Sequence, residues 1–390
     1  MQDGRDGVGE TEDIAREDIL EEYDVIVVGA GAAGIGVGIA LAHVGVEDFL
    51  VVDRDKVGSS FASWPDETRF ITPSFPSNSI GMLDLNSIAI GVSPAFSMKV
   101  EHPTGSQYAA HLQDISDYFE LPIRENTDVK SIEKNNELFH LETADGTLLA
   151  KNVIWAAGEY QYPRMDGFTG SDLCRHTATV PNYSGLEGDD FIIIGGYESG
   201  VDAAYHLANR SKQIRLFDIN SPWDEASSDP SITLSTFTFE RMRNANFEEN
   251  VDLFPHTPVE SVTKLDEGYE VKTQDGQTFQ SQEQPLLAGG FDGSQKFVSH
   301  LFDQRDDGFP ELSERDESTI VPGMYLCGPA VRHDGHVFCF IYKYRQRFAI
   351  VAQAIASSLD IPTDEFVEAY RGWGMYLDDL SCCGQECLTC

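Results

Sequence analysis

"YDVIVVGAGAAGIGVGIALAHVGVEDFLVVDRD", residues 23–55, decides how this chain folds. Val25 to Val28 form an unbroken apolar run, as a strand buried on both faces requires. Gly29-x-Gly31-x-x-Gly34 follows and opens a segment of small residues, read as a helix beginning near Ala32 and Ala33. In such a turn the first glycine permits the tight bend. The second lets backbone approach a pyrophosphate, and the third lets helix and strand pack closely. The helix N-terminus then meets the phosphates with its positive end. A second apolar strand, Phe49 to Val52, ends at Asp53, 24 residues after Gly29, with Arg54 beside it. The Asp53 carboxylate suits ribose hydroxyls. Strand, turn, helix, strand and acid in register mark a dinucleotide site far more firmly than the glycines alone.

The pattern recurs in "DFIIIGGYESGVDAAYHLANRSKQIRLFDIN", residues 190–220. Phe191 to Ile194 form the strand, Gly195 begins the turn and Gly200 takes the third glycine's place. Asp218 ends the next strand, 23 residues after Gly195. Tyr197 stands where the middle glycine is expected, with Gly196 before it to supply conformational freedom and Glu198 and Ser199 opening the helix. Asp218 would bond a 2′-hydroxyl and repel a 2′-phosphate, which favours NADH over NADPH. Arg210, Lys212 and Arg215 nearby pull the other way. Two such units in one chain read as one resident dinucleotide and one exchangeable donor.

A chain of 390 residues suits two domains, or one domain interrupted by another. With 65 acidic and 27 basic residues its net charge is −38, which argues against nucleic acid and anionic membranes as partners. Such a charge is best tolerated where salt screens it, so the chain reads as a halophile's cytoplasmic protein. Residues 1–22 are acidic and poor in apolar side chains. They are expected to be disordered and do not resemble a secretory signal. No apolar run is long enough to span a membrane. In a reducing compartment, cysteines are redox-active or metal-binding more often than structural disulfides.

Over nearly its whole length the chain resembles the two-dinucleotide-binding-domain flavoproteins. "NVIWAAG" (152–158, ending in Ala157 and Gly158) and "PLLAGGF" (285–291) resemble the family's crossings between domains. "TIVPGMYLCGPAVR" (319–332) resembles its last flavin-contacting strand, with Pro329 after Gly328 where the family has an Asp holding the ribityl chain. The resemblance implies an α/β fold: an FAD-binding Rossmann-like domain over 23–165 and 283–376, with an inserted NAD(P)-binding Rossmann-like domain over 166–282 and a cysteine-rich tail over 377–390. It also implies FAD on the first turn and NADH or NADPH on the second.

Two branches of that family compete. "GEYQYP" (158–163), Phe168-x-Gly170 and His176 resemble the fingerprint of flavin-containing and Baeyer–Villiger monooxygenases. "GSSFASW" (58–64) resembles their flavin-proximal loop, which implies Trp64 near the ring. "GGYESGVDAA" (195–204) resembles the monooxygenases' second nucleotide motif, and the same motif, lacking its middle glycine, also resembles the bacillithiol-reductase type of the competing thioredoxin-reductase and bacillithiol-disulfide-reductase branch. Their usual cysteines are absent: Cys-x-x-Cys occurs only in the tail, and Ala32 or Ala33 stands where bacillithiol reductases place theirs.

The tail, "DDLSCCGQECLTC" (378–390), holds Cys382, Cys383, Cys387 and Cys390. "LSCCG" resembles the C-terminal end of mercuric reductases, and large thioredoxin reductases also use a mobile C-terminal pair. The tail therefore reads as a redox relay. A soft-metal or zinc clamp built on Cys387-x-x-Cys390, and inert thiols, are the alternatives. Asp378, Asp379 and Glu386 would raise the thiol pKa values, against a fast nucleophile. No metal site is assigned. His336, ahead of a helix expected within 336–357, is a candidate acid–base group. Cys339 is a second-rank thiol candidate. The chain thus reads as an FAD-dependent NAD(P)H oxidoreductase passing electrons to a small-molecule or protein disulfide. The alternatives are a monooxygenase using O2 and a nucleotide-binding redox or metal sensor. A tail serving a second subunit would make a homodimer.

Overall fold

The structure, a computed structural model, describes residues 20–225, 227, 229 and 231–381. The tail cysteines Cys382, Cys383, Cys387 and Cys390 lie outside these described residues.

Strand Glu21–Val28 lies parallel to Phe49–Val52 on one side and to Gly146–Trp155 on the other, with Val25 opposite Phe49 and Asn152. Its last four residues are buried on both faces, which is why the sequence shows a run and not an alternation. Ile123–Arg124 extends the sheet beyond Phe49–Val52, and Met324–Leu326 pairs with Gly146–Trp155. The antiparallel strands Leu138–Thr143 and Ser131–Asn135 complete it, so this sheet is mixed.

Helix Ala32–Val44 packs against helix Ile341–Ser358. At Gly36 a Cβ would come within 2.1 Å of the Phe348 ring, which explains the small residues in the first helix. The long C-terminal helix starts at Ile341; residues 332–337 form a hairpin ahead of it, Arg332–His333 with His336–Val337.

The second sheet is parallel throughout. Its order is Val251–Phe254, Gln213–Phe217, Asp190–Ile194, Leu286–Leu287, Arg175–His176. A three-stranded antiparallel sheet, Val259–Lys264, Tyr269–Thr273 and Thr278–Ser281, flanks it. The buried cores around the two large sheets share no residue. The architecture is that of two Rossmann-like units, the second inserted into the first.

The expected disordered lead-in is corrected at its end. Glu21 and Glu22 belong to the first strand, paired with Leu148 and Leu149. Glu21 earns its place through an ion pair with Arg124 at 2.6 Å and a bond from the Tyr23 hydroxyl at 2.7 Å. At the other end, Leu377 and Leu380 pack on the first core, and the Leu377 carbonyl accepts from Arg347 at 2.5 Å. Among the described residues, no helix is long and apolar enough to cross a membrane.

Candidate active site

The two glycine turns share one backbone plan. Gly29 and Gly195 take φ of +112° and +99°, and a Cβ on either would strike a carbonyl oxygen, of Ala156 or Ala288, at 2.5 and 2.4 Å. A Cβ on Gly34 or Gly200 would stand 1.7 or 1.8 Å from the carbonyl oxygen of Gly29 or Gly195. The acids serve the turns directly. Asp53 accepts from the Ala30 amide at 2.7 Å and the Asp55 amide at 2.8 Å. Asp218 accepts from the Gly196 amide at 2.6 Å, from Asn220 at 2.7 Å and from Ser221 at 2.6 Å. Burial pushes the Asp53 carboxyl above its ordinary range, and the two amides work against that rise.

They differ at the middle position. Gly31 caps the first helix with φ −85° and ψ −170°; Tyr197 caps the second with φ −80° and ψ −168°. A Cβ on Gly31 would meet no atom within 4 Å, so the first turn offers an open cradle that fits the pyrophosphate of FAD. Tyr197 carries a phenol from the matching backbone, and its hydroxyl donates to the Thr233 carbonyl at 3.1 Å.

One cavity of about 1560 Å³ runs from the first turn to the second. Gly29, Gly31, Ala32, Ala33, Asp53 and Arg54 border one end, and Tyr197, Glu198, Ser199 and Asp202 the other. Trp64, the residue that the resemblance places near the flavin ring, lines the cavity together with Ala157, Gly158 and Pro329. Trp64 belongs to an aromatic cluster, with Phe70 at 5.0 Å and Tyr160 at 6.2 Å. Gly34 and Gly200 do not line the cavity; they serve close packing. Gly328, at φ +107°, packs against the Ala33 Cβ. Gly195, Gly196 and Asp218 do not border the cavity either.

Between the two turns stand several side chains that the sequence did not single out. Glu159 faces the cavity; burial raises its pKa, opposed by Arg332 and Arg164. The Arg332 guanidinium lies 4.1 Å from the Phe309 ring centroid and donates to the Pro329 carbonyl at 2.6 Å. Pro329 thus offers its carbonyl to protein where the family's Asp would serve the cofactor. Deep at the second end, Arg241 pairs with Asp202, which also accepts from Thr68 at 2.7 Å. Burial pushes the Asp202 carboxyl up. The His206 ring at 3.3 Å, Arg241 and Thr68 outweigh it and hold the pKa at about 2. No local pattern announces this pair: Arg241 lies 39 residues past Asp202, and Thr68 comes from the other unit.

Among the described cysteines only Cys339 borders the cavity. Cys174 and Cys327 are buried, and burial pushes the Cys174 thiol up to about 12. The Cys339 Sγ lies 3.1 Å from the Ser231 hydroxyl, which accepts from Lys343 at 2.8 Å; Lys343 also pairs with Asp229 at 2.8 Å. Burial raises the Cys339 thiol, and Ser231, Lys343 and Arg332 oppose the rise. His336 sits half-buried in the 332–337 hairpin and does not border the cavity. Its neighbour His333 is engaged with buried Asp316 at 2.5 Å, an acid that also holds Arg347 at 2.8 Å. Among the described residues no group of three or more His, Cys, Asp or Glu could hold a metal ion.

The three cations near Asp218 in sequence are committed elsewhere: Arg210 to Glu67 at 3.0 Å, Lys212 to Asp189 at 2.8 Å and Arg215 to Asp190 at 2.5 Å.

Residues 26–328 match the protein family described as "Pyridine nucleotide-disulphide oxidoreductase". An "Uncharacterized oxidoreductase CzcO-like" of Geobacillus kaustophilus is 30% identical over 189 residues, 47% of this chain and 51% of that protein. The chain spans 51% to 58% of the length of the first curated relatives it matches. Its fold is similar to that of the bacillithiol disulfide reductase of Staphylococcus aureus, with TM-score 0.71 and 18% identity over 87% of this chain and 99% of the other. It is also similar to a flavin-containing monooxygenase of Stenotrophomonas maltophilia, with TM-score 0.66 and 16% identity over 87% and 100%.

Proposed function

The chain belongs to the pyridine nucleotide-disulphide oxidoreductase family, and from that premise we propose that this FAD- and NAD(P)H-dependent oxidoreductase delivers electrons to a disulfide-type acceptor. The balance is NAD(P)H, a proton and a disulfide giving NAD(P)+ and two thiols. When bound, the two cofactors supply hydride transfer and electron storage. The protein supplies position and a dry site. Gly29, Gly31, Gly34 and Asp53 would hold FAD, with Trp64, Ala157, Gly158 and Pro329 around its ring. The second turn, with Asp218, would hold the nicotinamide donor.

The single observation that carries the reading is continuity: one cavity is bordered by both turns and contains a thiol, Cys339. The description of the matching family, a pyridine nucleotide-disulphide oxidoreductase, supports a disulfide-type acceptor. NADH is the favoured donor, because the Asp218 carboxylate would bond a ribose 2′-hydroxyl and each cation near it in sequence is already paired. The tail cysteines Cys382, Cys383, Cys387 and Cys390 are proposed to relay electrons onward, and Cys339 to be their cavity-side counterpart. His336 is kept as an acid–base group of lower rank, since it reaches the site only by movement of its hairpin.

Anaerobic reduction by NADH, followed by visible absorbance with acceptors added one at a time, tests this. Turnover of a small aryl disulfide, abolished by a Cys382→Ser/Cys383→Ser double variant, is the expected result. Unchanged turnover in that variant would remove the tail from the pathway. No disulfide turnover, with NADH-dependent O2 uptake yielding a hydroxylated product, would favour the second reading, a monooxygenase. That reading is supported by Glu159, Tyr160 and Tyr162 of the "GEYQYP" stretch, which line the cavity.

A further inference from the structure

Beside the large cavity lies a second one of about 700 Å³, between the 71–85 segment of the first unit and the 225–239 segment of the inserted unit. Ile71, Thr72 and Phe340 are walls of both, so the smaller cavity is a side chamber of the larger. Cys339, the neighbour of Phe340 in the chain, borders the large cavity together with Ser231. The chamber therefore adjoins the stretch that brings a thiol to the cavity wall. Its size is that of a small-molecule site, for which ~300–1,000 Å³ is usual.

The chemistry of the walls says what such a molecule would be. Ile71, Pro73, Leu85, Leu234, Phe239 and Phe340 supply hydrocarbon, and the Phe340 ring stacks on Tyr342 at 5.5 Å. Thr72, Thr233 and Ser235 add neutral polar groups. Among the described residues that line the chamber, Glu225 is the one charged side chain. Lys343, next to Tyr342, is committed to Asp229 and to Ser231, each at 2.8 Å. Apolar side chains also stand exposed on both wall segments: Phe75, Ile80 and Met82 on the first and Ile232 on the second. In a chain of net charge −38, such a concentration marks an entrance for something apolar. A disulfide bearing carboxylates would lose its water here and meet an acid with no cation to pair with. An uncharged aromatic one gains by burial and loses little.

We propose that the side chamber is the acceptor site: it takes one apolar, aromatic half of an uncharged disulfide, with the S–S bond towards the large cavity, and rejects disulfides that carry carboxylates. The assignment rests on the disulfide-acceptor reading and narrows its substrate class. The reaction stays balanced: NADH, one proton and the disulfide give NAD+ and two aryl thiols.

Binding and turnover separate the chamber from the disulfide reading. Binding is measured by calorimetry on the FAD-loaded full chain with dipyridyl sulfide, a thioether that is uncharged at neutral pH and has no bond to reduce. Turnover is measured with NADH and two aryl disulfides, uncharged dithiodipyridine and dianionic dithiobis(nitrobenzoate), each rate divided by that disulfide's rate with free dithiothreitol. The parent is expected to bind the thioether and to favour the uncharged disulfide at least ~tenfold in kcat/KM. Leu85→Glu, at an exposed wall position, is expected to weaken thioether binding roughly tenfold, because a carboxylate keeps the chamber wet. Glu225→Gln, also exposed, removes the resident acid and is expected to narrow the preference for the uncharged disulfide roughly threefold. Equal thioether affinity in parent and Leu85→Glu would overturn the chamber assignment. An unchanged preference in Glu225→Gln would do the same, even if the first variant failed to fold. Disulfide turnover without thioether binding overturns the chamber and leaves the disulfide reading standing. Thioether binding without turnover of either disulfide keeps an apolar binding site and overturns the disulfide reading.

Discussion

The first and second glycine turns share a backbone and differ at its middle position, Gly31 against Tyr197, and on the proposed reading the first holds a resident cofactor while the second exchanges its donor. Both turns use a left-handed glycine against a carbonyl, a third glycine against the first, and an acid bonded to the turn's own amides. In the first, the middle position presents bare backbone to a large cavity. In the second it presents a phenol with a partner across the cleft. A resident cofactor gains from an open, preorganised cradle. An exchangeable donor needs less preorganisation, because its affinity need not be high.

The comparison can be broken at its shared part. Gly34→Ala and Gly200→Ala each place a methyl group against a carbonyl oxygen, at 1.7 and 1.8 Å, inside a buried turn. Each is expected to cost about 3 kcal/mol locally. Gly34→Ala should yield a colourless protein, and Gly200→Ala a yellow one that no longer binds NAD+; absorbance and calorimetry distinguish them.

Transplanting the difference is the next largest change. Gly31→Tyr installs the second turn's phenol in the first. The open direction at Gly31 lets the chain fold, but FAD should bind at least ~100-fold more weakly, about 2.7 kcal/mol. Retention of flavin by this variant would show that the middle position does not control access.

Acid probes the two units apart from their ligands. Buried His111 in the first unit, bonded to Ser97 at 2.8 Å, has its pKa lowered by burial from 6.5 to about 4. A depressed histidine contributes stability that is complete above pH 6.5 and is lost as pH falls towards 4. Urea unfolding should show a loss of about 2 kcal/mol at pH 5 relative to pH 7. His111→Asn should flatten that dependence. The second unit's His176 is lowered in the same direction by burial, so its transition should move the same way.

The smallest expected effect tests the acids. Asp218 serves three amides and Asp53 two, so Asp218→Ala leaves one more donor unsatisfied than Asp53→Ala. A difference of about 1 kcal/mol in thermal stability is expected. Asp218→Asn should also narrow the preference for NADH over NADPH, read as a ratio of dissociation constants.

Much of this was legible before any coordinates. Val25–Val28 and Phe191–Ile194 announced buried parallel strands, and the spacing from Gly29 to Asp53 announced an acid beside the turn, where Asp53 accepts from the Ala30 amide. Trp64, Ala157, Gly158 and Pro329, singled out from the family resemblance, line the cavity. The Asp202–Arg241–Thr68 cluster was not legible, since its members come from three separate segments and none forms a periodic pattern. His336 is different: it sits half-buried in the hairpin ahead of the long helix, and its neighbour Val337 borders the cavity while it does not.

Local sequence by itself determined the two cradles, because tight turns, close helix packing and amide-bonding acids are requirements of neighbouring residues and repeat wherever those residues do. Only the tertiary structure decided how the cradles differ in their surroundings. What a tyrosine at the middle position bonds depends on what its hydroxyl finds across the cleft, and Thr233 is brought there by packing between segments that the linear chain keeps apart.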